Sequence, residues 1–188
     1  LNGYKLVVAP MLYLLRAGFS KKLRDFVEQG GTLVGTYLTG LVNENDLCLL
    51  GGWPGEGLQE VFGVWNEDTD ALWDGEENQV DLDNGRSYKA KELCALLHGR
   101  GAQALGVYSR DFYAGEAAVT VNRFGQGKAF YIGAFLEQDF YRDFYRKLGR
   151  ELEVKRALAV ELPRGVEACL RENQEEAYVF LQNSSGAR

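Results

Sequence analysis

Lys5–Thr36 reads KLVVAPMLYLLRAGFSKKLRDFVEQGGTLVGT, and the order of its apolar runs decides the fold. Residues Lys5–Met11 (KLVVAPM) form a short, β-branched apolar run stopped by Pro10, the pattern of a buried parallel strand reaching a loop. Ser20 is placed to cap a helix on which Leu23, Phe26 and Val27 share one face, and Gly30 and Gly31 supply the left-handed geometry that ends it. Thr32–Thr36 (TLVGT) then reads as a second buried strand. Strand, helix and strand within about 30 residues make a right-handed βαβ unit, which predicts a parallel sheet covered by helices on both faces.

Downstream, Tyr37–Gly57 is dense in glycine and asparagine and too long for a plain connection, and loops of that length usually have a task. A brief helix over Leu58–Phe62 follows. Asn66–Gly85 holds eight carboxylates and no basic residue, which predicts a surface excursion with short strands. Ala90, Leu93, Cys94 and Leu97 fall at i, i+3, i+4 and i+7, so Ser87–His98 is expected to be an amphipathic helix ended by Gly99. Gly101–Tyr108 reads as a strand. Ala117–Phe124 and Lys128–Phe135 form a hairpin across Gly125-Gln126-Gly127, making the sheet mixed at one edge. Leu136–Leu152 is a last helix with Phe140, Tyr141, Phe144 and Leu148 on its inner stripe. Beyond Pro163, Val166, Ala168 and Leu170 alternate with polar residues, and Ala177–Gln182 adds a second strand. Together they open a separate β domain, giving residues 1–160 as an α/β domain and 161–188 as the start of the next.

The 188 residues include 21 basic and 27 acidic side chains, a net charge of -6, so the basic footprint needed for phosphate backbones is missing and no nucleic-acid partner is expected. No apolar run approaches the roughly 18 residues needed to cross a bilayer, so no membrane partner is expected either. Cys48, Cys94 and Cys169 are odd in number and far apart, which argues against a disulfide framework and a zinc site and fits a cytoplasmic location.

Candidate chemistry is sparse. Cys94 would lie on the inner stripe of its helix as a small buried hydrophobe. Cys48 sits in the long loop without the glycine-flanked elbow of a nucleophile, and Cys169 lies on an edge-type strand. His98, the one histidine, would help neutralise a helix C-terminus. The acidic stretch lacks the spacing of a calcium loop, and Gly125-Gln126-Gly127 joins strands where a phosphate cradle would open a helix. No cofactor, metal or catalytic residue is expected. Trp53, Trp65, Trp73, Phe112 and Tyr113 fall in expected loops, where they either fold under as a satellite cluster or meet a partner.

Four segments together resemble one family: GYKLVVAPMLYLL (Gly3–Leu15), FVEQGGTLVGTYLTGLVNENDLCLLGGWPGEGLQEVFGV (Phe26–Val64), DFYAGEAAVTVNRFGQGKAFYIG (Asp111–Gly133) and LPRGVEACLRENQEEAYVFLQNSS (Leu162–Ser185). The chain is similar to the middle, trimerisation domain of family 42 β-galactosidases followed by the start of their C-terminal β domain. The resemblance implies a three-layer α/β/α, flavodoxin-like and amidotransferase-like fold with a mostly parallel sheet, joining three subunits without chemistry of its own. It places the acid and nucleophile glutamates in a preceding TIM-barrel domain, so no catalytic residue carries over to this sequence. It also implies that Tyr37–Gly57 supports a substrate pocket near subunit contacts. Tyr37, Asn43, Asn45, Asp46, Trp53, Pro54, Phe112 and Tyr113 are therefore the candidate interface residues. The family's domain opens with a further strand and helix that have no counterpart before Gly3, which leaves a fragment, a truncated gene product and an artificial boundary as the alternatives. The rival expectations are an amidotransferase-like enzyme using Cys48 or another loop group as nucleophile, and a carbohydrate-binding module displaying Trp53 and Tyr37.

Overall fold

The structure is a computed structural model that describes residues 1 and 3–186. Its internal contacts divide the chain into two units, Leu1–Leu148 and Gly149–Arg188. In chain order the first carries β1 (Leu6–Ala9), β2 (Leu14–Leu15), α1 (Phe19–Glu28), β3 (Thr32–Thr36), β4 (Val42–Asn43), α2 (Leu58–Phe62), β5 (Val64–Ala71), β6 (Asn78–Leu82), β7 (Ser87–Gly99), β8 (Gln103–Tyr108), β9 (Ala117–Phe124), β10 (Gly127–Ile132) and β11 (Ala134–Leu136), followed by α3 (Gln138–Glu151).

β1 and β3 pair in parallel, Leu6 opposite Thr32 and Ala9 opposite Gly35, as the βαβ reading predicts. β10 joins β3 on its other side, also parallel, with Lys128 opposite Thr32 and Ile132 opposite Thr36. From β10 the sheet runs on antiparallel through β9, β8, β6 and β7 to β11, with β5 against β7. β7 meets β9 again at Leu97 and Ala117, so this part of the sheet curls back on itself.

Because successive strand residues point to opposite faces, β10 feeds two cores. Ala129 and Tyr131 join Leu33 beneath Leu23, Phe26 and Val27 of α1 and Leu58, Val61 and Phe62 of α2. Phe62 meets Tyr131 edge-on at 5.1 Å between ring centres. Gly35 leaves room for that ring, since a Cβ there would lie 2.5 Å from Phe62 Cζ. On the opposite face Phe130 packs edge-on against Phe144 of α3 at 5.3 Å. Helices thus lie on both faces of the sheet at β10.

Several expectations need correction. Ser87–Gly99 is a strand of 13 residues, not a helix. Leu93–Leu97 is continuously apolar because β5, β11 and β9 all engage it, and this long-range pairing overrides the helical spacing of Ala90, Leu93, Cys94 and Leu97. Glu92, at φ 59°, lies where the β7 register shifts opposite Ala134 and Phe135, and that break in alternation imitates a helical period. The antiparallel share of the sheet is correspondingly larger than one hairpin. His98 is therefore a strand residue with no helix terminus to serve. Cys94 is fully buried, on a strand. α1 starts beyond Gly18 with no side-chain cap. Ser20 instead donates its hydroxyl to Glu56 Oε2 at 2.7 Å, tying α1 to the long loop. Trp65 lies on β5, not in a loop.

The second unit carries β12 (Val166–Glu172) and β13 (Ala177–Asn183), an antiparallel pair with Val166 opposite Asn183. Its turn is closed by Asn173 Oδ1, which accepts from the backbone N–H groups of Glu175 and Glu176 at 2.8 Å each.

Candidate functional site

In a parallel sheet the loops that leave the carboxyl ends of the strands are where side chains of different elements converge. Here β1 delivers Pro10 and Met11 to that edge and β3 delivers Thr36 and Tyr37. With Val8 of β1 and with Tyr141 and Tyr145 of α3 they line a cleft of about 560 Å³. Met11 is fixed by its N–H, which donates to Thr36 Oγ1 at 2.8 Å. Tyr37 stands edge-on to Phe135 at 6.3 Å. Burial pushes the Tyr37 and Tyr145 phenols up to about 12 and raises that of Tyr141, so all three are neutral at physiological pH. The cleft therefore offers aromatic surface and hydroxyls with no acid or base poised for proton transfer.

The long loop is folded, not slack. Gly40 donates to Leu12 O at 2.7 Å, Leu41 and Val42 donate to Tyr13 O at 3.0 and 3.1 Å, and β4 pairs with β2. Gly40 has φ 68° and accepts from Gly55 N at 2.9 Å; a Cβ on it would lie 2.8 Å from that nitrogen. Asn43 Oδ1 accepts from the N–H groups of Asn45 and Leu47 at 2.9 and 3.1 Å, closing the turn that carries Asp46 at φ 59°.

The eight candidate interface residues divide by burial. Asn45, Asp46 and Phe112 are exposed, Asn43 and Trp53 half-buried, and Tyr37, Pro54 and Tyr113 buried. Tyr37, the loop residues and Trp53 belong to the β1–β3 end of the edge. Phe112 and Tyr113 belong to the β8–β9 turn. Tyr113 donates its hydroxyl to Asp70 Oδ2 on β5 at 2.7 Å, and its ring stands edge-on to Tyr108 at 4.9 Å. Val8, Pro10, Met11, Tyr141 and Tyr145 escaped the sequence reading as site residues; the signal that points to them is their position after or beside the carboxyl ends of parallel strands.

The candidate nucleophiles do not assemble. His98 Nε2 lies 2.6 Å from Glu67 Oε2, and its ring stacks on Trp65 at 4.7 Å. Burial raises the Cys94 thiol to about 11, which keeps it protonated near neutral pH. Cys48 is exposed. Among the described residues no three His, Cys, Asp or Glu side chains converge as a metal site would require, and no helix is long and apolar enough to cross a membrane.

The domain is thus a mixed α/β fold whose long, ordered loop and tyrosine-lined cleft share one sheet edge. The chain belongs to the β-galactosidase trimerisation domain family, whose model matches residues 1–155. It is 46% identical over 190 residues to β-galactosidase Pbg of Clostridium perfringens, covering 98% of this chain and 27% of that protein. To β-galactosidase BglY of Alicyclobacillus acidocaldarius it is 48% identical over 189 residues, covering 97% of this chain and 27% of that one. The crystal structure of a cold-adapted β-galactosidase from a Rahnella species superposes with a TM-score of 0.91 at 44% identity, over 96% of this chain and 27% of the other. The chain thus spans about a quarter of the length of the enzymes it matches.

Proposed function

We propose that this chain is the self-association domain of a β-galactosidase, that it assembles as a homotrimer, and that the intact protein hydrolyses terminal β-D-galactosides. The observation that carries the reading is the match of residues 1–155 to a trimerisation domain, within a sequence that aligns almost entirely to β-galactosidases while filling only 27% of them. In this reading the acid and nucleophile glutamates belong to a TIM-barrel domain of the same protein, and Leu1–Arg188 contributes none. The parallel β1–β3–β10 group with helices on both faces supports a flavodoxin-like, amidotransferase-like ancestry for residues 1–160, with 161–188 opening a C-terminal β domain. The open cleft and ordered loop support placing Tyr37, Asn43, Asn45, Asp46, Trp53, Pro54, Phe112 and Tyr113 at or behind the subunit contact. A cytoplasmic location is consistent with three unpaired cysteines.

Sedimentation equilibrium of the 188-residue chain from low to high micromolar concentration tests the central claim. The expected species has the mass of three chains. A single-chain mass across the whole range overturns the reading.

A further inference from the structure

Strand direction places most of the large apolar side chains that the first unit leaves exposed on a single edge. β5 runs antiparallel to β7 and ends at Ala71 opposite Leu93, so Trp73 emerges on the same side as the carboxyl ends of β1, β3 and β10. β8 and β9 bring the 109–116 turn there as well, because Ala117 lies beyond Val119, which pairs with Ile132 at the end of β10. Trp73 is 80% and Phe112 79% exposed, and Met11, Tyr13, Leu14, Leu47 and Leu50 emerge along the same edge.

The Phe112 turn is also rigid. Gly115 donates to Tyr108 O at 2.7 Å and Tyr108 to Glu116 O at 3.0 Å. Asn78 locks the turn from the side, donating to Arg110 O at 3.1 Å and accepting from Arg110 N at 3.2 Å. Tyr113 anchors it to Asp70, and the Phe112 ring rests edge-on to Tyr113 at 4.9 Å. A bulky ring held out in water on a fixed turn loses little conformational freedom when it binds, which is how interface anchors gain affinity.

A closed ring of three subunits cannot be built from one self-complementary patch: each subunit must present two unlike faces, one fitting the other on its neighbour. The edge holds such a pair. The cleft lies at β1 and β3, and the Phe112 turn lies three strand positions away at β8, about 14 Å at the usual strand spacing. In sequence Trp73 and Phe112 are neighboured by Asp74, Glu76, Arg110, Asp111 and Glu116, and α3 carries Arg146 and Lys147 beside Tyr145 together with Asp139 and Asp143, Asp139 being paired with Arg142 at 2.6 Å.

We infer that in the trimer the Phe112 turn of each subunit, flanked by Trp73, inserts into the Val8–Met11–Tyr37–Tyr141–Tyr145 cleft of the next. The inference rests on the homotrimer proposed above and adds which surfaces meet.

Two variants of the 188-residue chain test it by sedimentation equilibrium. Phe112→Asp spoils the knob and Met11→Asp spoils the cleft, and each is expected to weaken association at least tenfold with the far-UV dichroism unchanged. Tyr4→Asp, on the opposite edge, is expected to leave the mass as it is. The decisive sample is an equimolar mixture of the two weakened variants. A head-to-tail contact restores one good knob-into-cleft interface and yields a two-chain species, which neither variant forms alone. If the parent chain forms trimers and both variants do too, or if the mixture stays monomeric, this inference fails while the trimer stands. A parent chain that is monomeric throughout removes the trimer itself. Should either variant misfold, acrylamide quenching of tryptophan fluorescence in the parent chain still decides: Trp73 is expected to become protected as concentration passes the association midpoint, and unchanged quenching counts against the contact.

Discussion

Glu77 sits just before β6, with the ammonium groups of Lys89 and Lys91 at 2.7 and 2.9 Å. Hydrogen bonds from both lysines lower its carboxyl from 4.5 to about 2. Because the folded value lies below the unfolded one, the pair stabilises the fold above pH 4.5, and that contribution disappears as pH falls from 4.5 towards 2. A urea midpoint measured against pH is therefore expected to drop across this window, and Glu77→Gln to flatten the drop while lowering the midpoint at pH 7. An unchanged acid limb in the variant would remove the assignment. The linkage was not legible in the sequence, where Glu77 was one of eight carboxylates in a stretch without basic residues. Its partners come from β7, 12 and 14 positions further on, and only strand pairing brings them close.

At the scale of elements, α2 is short but sealed: Leu58, Val61 and Phe62 are each 0% exposed. Five residues cannot hold a helix by themselves, so its existence depends on packing against the sheet. Phe62→Ala would leave a void between Gly35 and Tyr131 and is expected to cost about 3–5 kcal/mol, read as a lower urea midpoint with an unchanged slope. A loss under about 1 kcal/mol would mean the layer collapses around the gap. α2, the β1–α1–β3 unit and the β9–β10 hairpin were legible because each carries its own stop signals in neighbouring glycines. β7 was not, for its character depends on strands distant in sequence, and its apolar positions satisfy helical and strand spacing at once.

For the whole molecule, the two units differ in how much core each possesses. β13 is exposed along its entire length, including Tyr178, Val179, Phe180 and Leu181, and a two-stranded ribbon is marginally stable alone. Limited trypsin digestion is expected to cut first at Arg150, Lys155, Arg156 or Arg164, releasing β12 and β13 and leaving a resistant product that begins at Leu1. Earlier cleavage inside β3, β9 or β10 would contradict this ordering of stability. The sequence by itself determined the α/β class, the parallel pairing of β1 with β3, the closing hairpin and the family, because these rest on local periodicity, glycine punctuation and residue order. Only the tertiary structure decided that Ser87–Gly99 is a strand, that Tyr37 and Tyr113 are buried while Phe112 stands free, and that a tyrosine-lined cleft opens at the carboxyl edge. Such features arise where segments far apart in the chain meet, and no local pattern encodes which strand will lie beside which.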